Sequence, residues 1–181
     1  MSCAARAKRL LALAAPLAAL LAAVAADPAS SSSAPVRARA AGSVLRSRQL
    51  WATINVCNPT DQPDYIGIRG SMPGDGRPHD SMYMSFRLQY MNSSTKHWAD
   101  LSGTTPSFAS VGSGPARQGG QSFQLMPVAG RPAIVLRGLV EFQWRRGKRV
   151  LMSAKRPTTP GHVSVAGSDP QGFSAATCQI G

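Results

Sequence analysis

The chain has 181 residues, with 20 Lys and Arg against 8 Asp and Glu and a formal net charge of +12. That length allows one domain of ordinary size, and the composition of the N-terminal third excludes it from any packed core, which leaves a folded part of about 130 residues. The basic balance favours anionic partners and speaks to encounter and solubility, not to fold.

Residues 1–9 carry Arg6, Lys8 and Arg9, and residues 10–26 are a run of Ala, Leu and Val interrupted only by Pro16 and closing on Val24-Ala25-Ala26. A charged start, a short apolar stretch and small residues at its end form the layout of a cleavable export signal. The run is shorter than the roughly 20 residues a membrane span needs and is mostly Ala, so no transmembrane segment is expected after cleavage. Cys3 precedes the run, so no lipid-attachment cysteine follows it. Losing Arg6, Lys8 and Arg9 takes the charge from +12 to +9.

Residues 27–49 combine the Ser30-Ser31-Ser32-Ser33 run with Arg37, Arg39, Arg46 and Arg48. They lack apolar side chains to offset the entropy of ordering and are expected as a disordered basic linker. The domain is expected over 50–181, where apolar residues recur with period two. Candidate strands are 50–57, 65–70, 82–90, 122–126, 134–144, 150–154 and 174–180. Met82, Met84, Phe86, Leu88 and Tyr90 share a face, as do Ile134, Leu136, Gly138, Val140, Phe142 and Trp144. A hairpin joins 134–144 to 150–154, and a three-residue loop would set Trp144 opposite Val150, Phe142 opposite Met152 and Val140 opposite Ala154.

Seven short strands broken by Gly, Pro, Asn and Ser predict an all-β fold of two packed antiparallel sheets. Cys57 and Cys178, 121 positions apart, are the two cysteines beyond the signal and are expected to pair in an oxidising compartment. Cys57 falls on the face opposite Ile54 and Val56, whereas Cys178 shares its face with Ala176 and Ile180. A β-bulge, or a disulfide at a sheet end, would reconcile the two.

The run Leu136-Arg137-Gly138-Leu139-Val140-Glu141-Phe142-Gln143-Trp144, followed by a Gly turn and Val150, resembles the penultimate strand and last hairpin of fibronectin type III and immunoglobulin-like modules of secreted bacterial proteins. The strand from Met82 to Tyr90, followed by Trp98, is similar in placement to their central strand. Leu136 stands where those modules usually have a tyrosine, and the segment after Thr158 is an addition. The resemblance implies a β-sandwich whose relatives mostly bind, adhere or space other domains.

No catalytic motif is present. Ser71 and Ser113 lack the G-x-S-x-G spacing, and both cysteines beyond the signal are expected in the disulfide. Glu141, the only glutamate, is expected as a cross-strand partner for a basic residue. The loop 75–80, with Asp75, His79 and Asp80, matches no zinc-finger, H-E-x-x-H or EF-hand spacing, so neither a metal nor another cofactor is expected. Asn92-Ser93-Ser94 is a formal glycosylation sequon that matters only in a eukaryotic secretory route.

Arg145, Arg146, Lys148 and Arg149, with Lys155 and Arg156, place six cations near one hairpin. Such a tip suits an anionic polymer of the cell envelope or acidic lipid head groups. No interleaved aromatic platform for single-stranded nucleic acid is apparent, and nucleic acid is not expected as a partner. The expectation is a non-enzymatic exported binding or adhesion module at the cell envelope. The alternatives are a metal-dependent enzyme that gathers the 75–80 loop with His97, and a structural spacer or self-assembling subunit.

Overall fold

The computed structural model describes residues 34–181 apart from Thr105 and Val163. The expected signal, 1–26, and the start of the expected linker lie outside the described residues. In chain order the elements are α1 (Ala34–Leu45), β1 (Trp51–Cys57), β2 (Tyr65–Met72), β3 (Ser81–Met91), β4 (Trp98–Asp100), β5 (Ala109–Ser113), β6 (Arg117–Gln124), β7 (Ile134–Arg146), β8 (Arg149–Pro157) and β9 (Cys178–Ile180). One antiparallel sheet has the order β1-β2-β6, and the other has β4-β3-β7-β8 with β5 beside β3 and β9 beside β7.

The alternation in the sequence fixes which face of each strand is dry. Ala52, Ile54, Ile66 and Ile68 from the smaller sheet meet Met84, Phe86, Leu88, Val140, Phe142 and Trp144 from the larger one in a single buried cluster. At Gly138 a Cβ would lie 2.7 Å from Ile68 Cδ1 and 2.8 Å from Thr158 Cγ2, so the facing side chain reaches the backbone itself. Gly138→Ala is expected to overpack this point and cost about 1–3 kcal/mol, read as a lower denaturant midpoint.

The disulfide joins Cys57 to Cys178, with the two Cα atoms 5.6 Å apart. The parity conflict is resolved by a bulge in β1: Ile54 faces Ile68, but Val56 faces Gly67 and Cys57 faces Ile66. The extra residue, Asn55, turns Cys57 towards the core side. Beyond β8 the chain returns along the free edge of β1. Ala175 and Ile54 exchange backbone bonds of 2.9 and 3.0 Å, and the amides of Thr159 and Asp169 donate to the carbonyls of Ala52 and Asn55.

Two expectations are corrected. The stretch 27–49 is not a linker throughout, because residues 34–45 are helical and Val44, Leu45 and Leu50 pack on the core. Ala and Arg are strong helix formers, and an apolar anchor at the end of the helix supplies the packing that a short helix needs. The hairpin turns on two residues, Gly147 and Lys148, between Arg146 and Arg149, and a bulge then sets Trp144 opposite Met152 and Phe142 opposite Ala154. Gly147 takes φ of +56° at the first turn position, as the tight hairpin turn requires. The register is two residues from that expected, which preserves every face.

Candidate functional site

Strand direction collects four connections at one end of the fold. β1, β3, β6 and β8 begin there, while β2, β5 and β7 finish there, as the pairs Trp51 with Ser71, Met72 with Arg117, Ser81 with Ser113, and Arg146 with Arg149 show. The indole N–H of Trp144 donates to the Pro73 carbonyl at 2.9 Å, tying the two sheets together at this end. The segment before β1 brings Arg46 and Arg48, the β2–β3 loop brings Arg77, and β6 opens on Arg117. The hairpin adds Arg145, Arg146, Lys148 and Arg149, against which stand the carboxylates of Asp75 and Asp80.

The six cations expected to act together are divided by the structure. Arg146 clamps the buried Asp80 carboxylate, its Nε at 2.6 Å and its Nη2 at 3.1 Å. Arg145 lies over the rings of Tyr83, at 4.3 Å, and Phe108, at 4.6 Å, and donates to Gln143. Lys155 pairs with Glu141 at 3.6 Å, as that glutamate's place on the strand implies. Arg156 reaches back to the Leu45 carbonyl and holds the helix end. Among the described residues, Lys148 and Arg149 at the tip have no carboxylate within 4 Å, and Arg46, Arg48 and Arg117 share that condition.

The Arg146 hydrogen bonds are the largest influence on Asp80 and hold its carboxyl below the usual carboxylate range. Asp75 beside it moves the other way, pushed up first by burial. A lowered folded pKa means that Asp80 contributes its stability fully above the unfolded value near 3.8 and loses it as pH falls through the lower folded value. Arg146→Ala is therefore expected to lower the melting temperature at pH 7, and that deficit is expected to shrink as the pH drops below about 3.8. Parallel melts of the two proteins across the acid range check this.

The 75–80 loop does not become a metal centre with His97. His97 belongs to the turn after β3 while the loop precedes that strand, and eleven residues of strand span about 35 Å. Asp80 is engaged by Arg146, Asp75 Oδ1 accepts the Arg77 amide at 3.0 Å, and His162 stacks on Trp51. Among the described residues, no three His, Cys, Asp or Glu side chains gather as a metal site.

Three hollows run round the basic end and share lining residues. The first, about 210 Å³, lies between α1 and β8 and carries Asp75, Arg77 and Arg149. The second, about 520 Å³, is bounded by Arg77, Gln49 and Ala116. The third, about 330 Å³, contains Gln49, Ala116, Arg48, Arg117, Trp51, Ser71 and Gln118. The Trp51 indole is stacked on His162 with ring centroids 4.3 Å apart and planes 13° from parallel. Gln118 is fixed at both ends of its amide, donating to the Ser164 carbonyl at 2.7 Å and accepting the Ala166 amide at 3.2 Å. Sequence reasoning missed this third hollow. Its one legible sign was the parity that puts Trp51 and Ser71 on the outward faces of their strands.

No family model matches the chain, and no curated protein matches it. Among solved structures it is similar to the Pseudomonas fluorescens alkylpurine DNA glycosylase AlkC bound to DNA containing an abasic site analog, at 19% identity and a TM-score of 0.30. The match covers 61% of this chain and 29% of that one, so the chain spans less than a third of that protein.

Proposed function

We propose that the protein is an exported, non-enzymatic binding module that holds an anionic polymer of the cell envelope at its basic end. The observation that carries this reading is the charge at that end, where eight named cations meet two carboxylates and six of the cations have no acidic partner among the described residues. A surface of predominantly positive charge raises the local concentration of a counter-ion partner. A chain of linked hollows favours a flexible strand of polymer over a flat bilayer surface.

Export is supported by the layout of residues 1–26 and by the disulfide. Kinship to fibronectin type III and immunoglobulin-like sandwiches is supported by strand order. The order β1-β2-β6 in one sheet and β4-β3-β7-β8 in the other favours such a sandwich, and β5 beside β3 and β9 beside β7 are additions to that plan.

Chromatography of residues 27–181 on a dextran sulfate resin tests the binding. Retention is expected at about 0.1 M salt and loss towards 1 M, as the screening length falls from about 10 Å to about 3 Å. Replacing Arg48, Arg117, Lys148 and Arg149 by Gln should move elution to markedly lower salt, and replacing Lys96 and Arg131, which lie in loops at the other end, should not. Equal elution of the two variants overturns the reading, and so does better retention on vesicles with acidic head groups than on the polymer.

A further inference from the structure

We propose that the hollow beside Trp51 is a subsite for one carboxylate-bearing pyranose unit, a uronic acid, with the sugar ring against the indole and the carboxylate on Arg48. This rests on the polymer-binding reading and names the chemistry of the unit recognised.

The arrangement begins in strand register. Trp51 stands opposite Ser71, and Ser71 opposite Gln118, so an aromatic ring, a hydroxyl and an amide form one row across the three strands of the smaller sheet. All three lie on the sheet face away from the core, where Ser71 is buried and Trp51 and Gln118 are half-buried, and the row lies at the basic end. Arg48, from the segment ahead of β1, borders the same hollow and is exposed; Arg117, the first residue of β6, touches it too, but its side chain lies against Gly112, on the face opposite Gln118. Neither arginine has a carboxylate within 4 Å among the described residues. Two residues before Ser71, on the same outward face, Arg69 is half-buried between Gly120 and Gly167 and likewise lacks an acidic partner there. The site therefore holds an excess of positive charge around one aromatic plate.

Each part suits a different portion of an acidic sugar. An indole offers an apolar face to the C–H side of a pyranose, and its own orientation is set by the His162 stack on the strap that follows β8. Guanidinium groups suit a carboxylate because their planar donors match its two oxygens. The Ser71 hydroxyl is a donor and acceptor for a ring hydroxyl. Size selects the unit: about 330 Å³ lies at the lower end of the roughly 300–1,000 Å³ typical of small-ligand pockets, enough for one ring and not for several. Inorganic phosphate would use Arg48 alone and leave the indole without a contact.

Titration of the 27–181 protein with D-glucuronate, D-glucose and inorganic phosphate, followed by amide and indole resonances in two-dimensional NMR, tests the subsite. Trp51→Phe assigns the indole signal. Glucuronate is expected to shift the Trp51 indole and the Ser71 and Gln118 amides saturably, glucose at least tenfold more weakly, and phosphate without moving the indole. Arg48→Gln, at an exposed position, should weaken glucuronate at least tenfold while leaving the spectrum of the free protein intact elsewhere. No saturable indole shift with glucuronate, or equal response to glucose, overturns the subsite. If dextran sulfate retention persists in that case, the polymer reading stands and only the sugar assignment falls; loss of both removes both.

Discussion

The paired substitution of Cys57 and Cys178 by serine is expected to lower the unfolding free energy by about 4–5 kcal/mol, the loop-closure entropy that a link across 121 residues removes from the unfolded chain. The bond ties the end of β1, in one sheet, to β9, which pairs with β7 in the other. Without it, the short β9 has three paired residues to hold it in place. Urea unfolding of the double variant and of the oxidised parent, compared under one buffer, reads the difference as a midpoint shift of roughly 2 M for a typical slope. A shift near zero would show that strand pairing alone fixes the last segment.

Trp144→Ala is expected to cost about 3–5 kcal/mol, the range for emptying a large aromatic site in a packed core. Trp144 is fully buried on β7, and its indole N–H is the donor for the Pro73 carbonyl on the connection leaving β2. Truncation removes the packing and leaves that carbonyl without its donor, which is a further penalty of about 1–3 kcal/mol if water cannot reach it. Trp144→Phe separates the two effects, since it retains most of the volume and none of the hydrogen bond. Denaturant midpoints for the three proteins should rank parent, phenylalanine and alanine in descending order; equal values for the two variants would place the whole effect in the hydrogen bond.

The two-sheet architecture was legible in the sequence wherever a strand alternates strongly. Met82 to Tyr90 and Ile134 to Trp144 fall within β3 and β7, and the faces they assign are buried from Met82 to Leu88 and from Leu136 to Trp144, while Ile134 at the strand start is exposed. Strands β4 and β5 were not legible, because Trp98–Asp100 has three residues and Ala109–Ser113 consists largely of small or polar ones, so neither shows a period. Their pairing is set by the neighbouring edge of β3. The hairpin register was misjudged by two because a bulge after a tight turn adds a residue without changing which side chains point inward. The helix at 34–45 was hidden by a composition that suits a solvated tether and a helix equally until Val44 and Leu45 meet the core.

The basic end was half legible. The hairpin cations stand out as a run, yet four of the six are engaged by Asp80, aromatic rings, Glu141 and the Leu45 carbonyl, none of which is near them in sequence. Conversely, Arg48, Trp51, Ser71 and Arg117 belong to no motif. Register and strand polarity bring them together, and these depend on the whole sheet.

The edge closure of β1 also has a bearing on biosynthesis. The residues that cover the outer backbone of β1 follow it by more than a hundred positions, and Cys178 follows Cys57 by 121. At typical elongation rates that interval is on the order of ten seconds, during which the first strand presents an uncapped ribbon of amides and carbonyls to any neighbouring chain. A nascent copy is thus most prone to self-association before its tail emerges, which favours a holding chaperone or folding delayed until the last segment has been made.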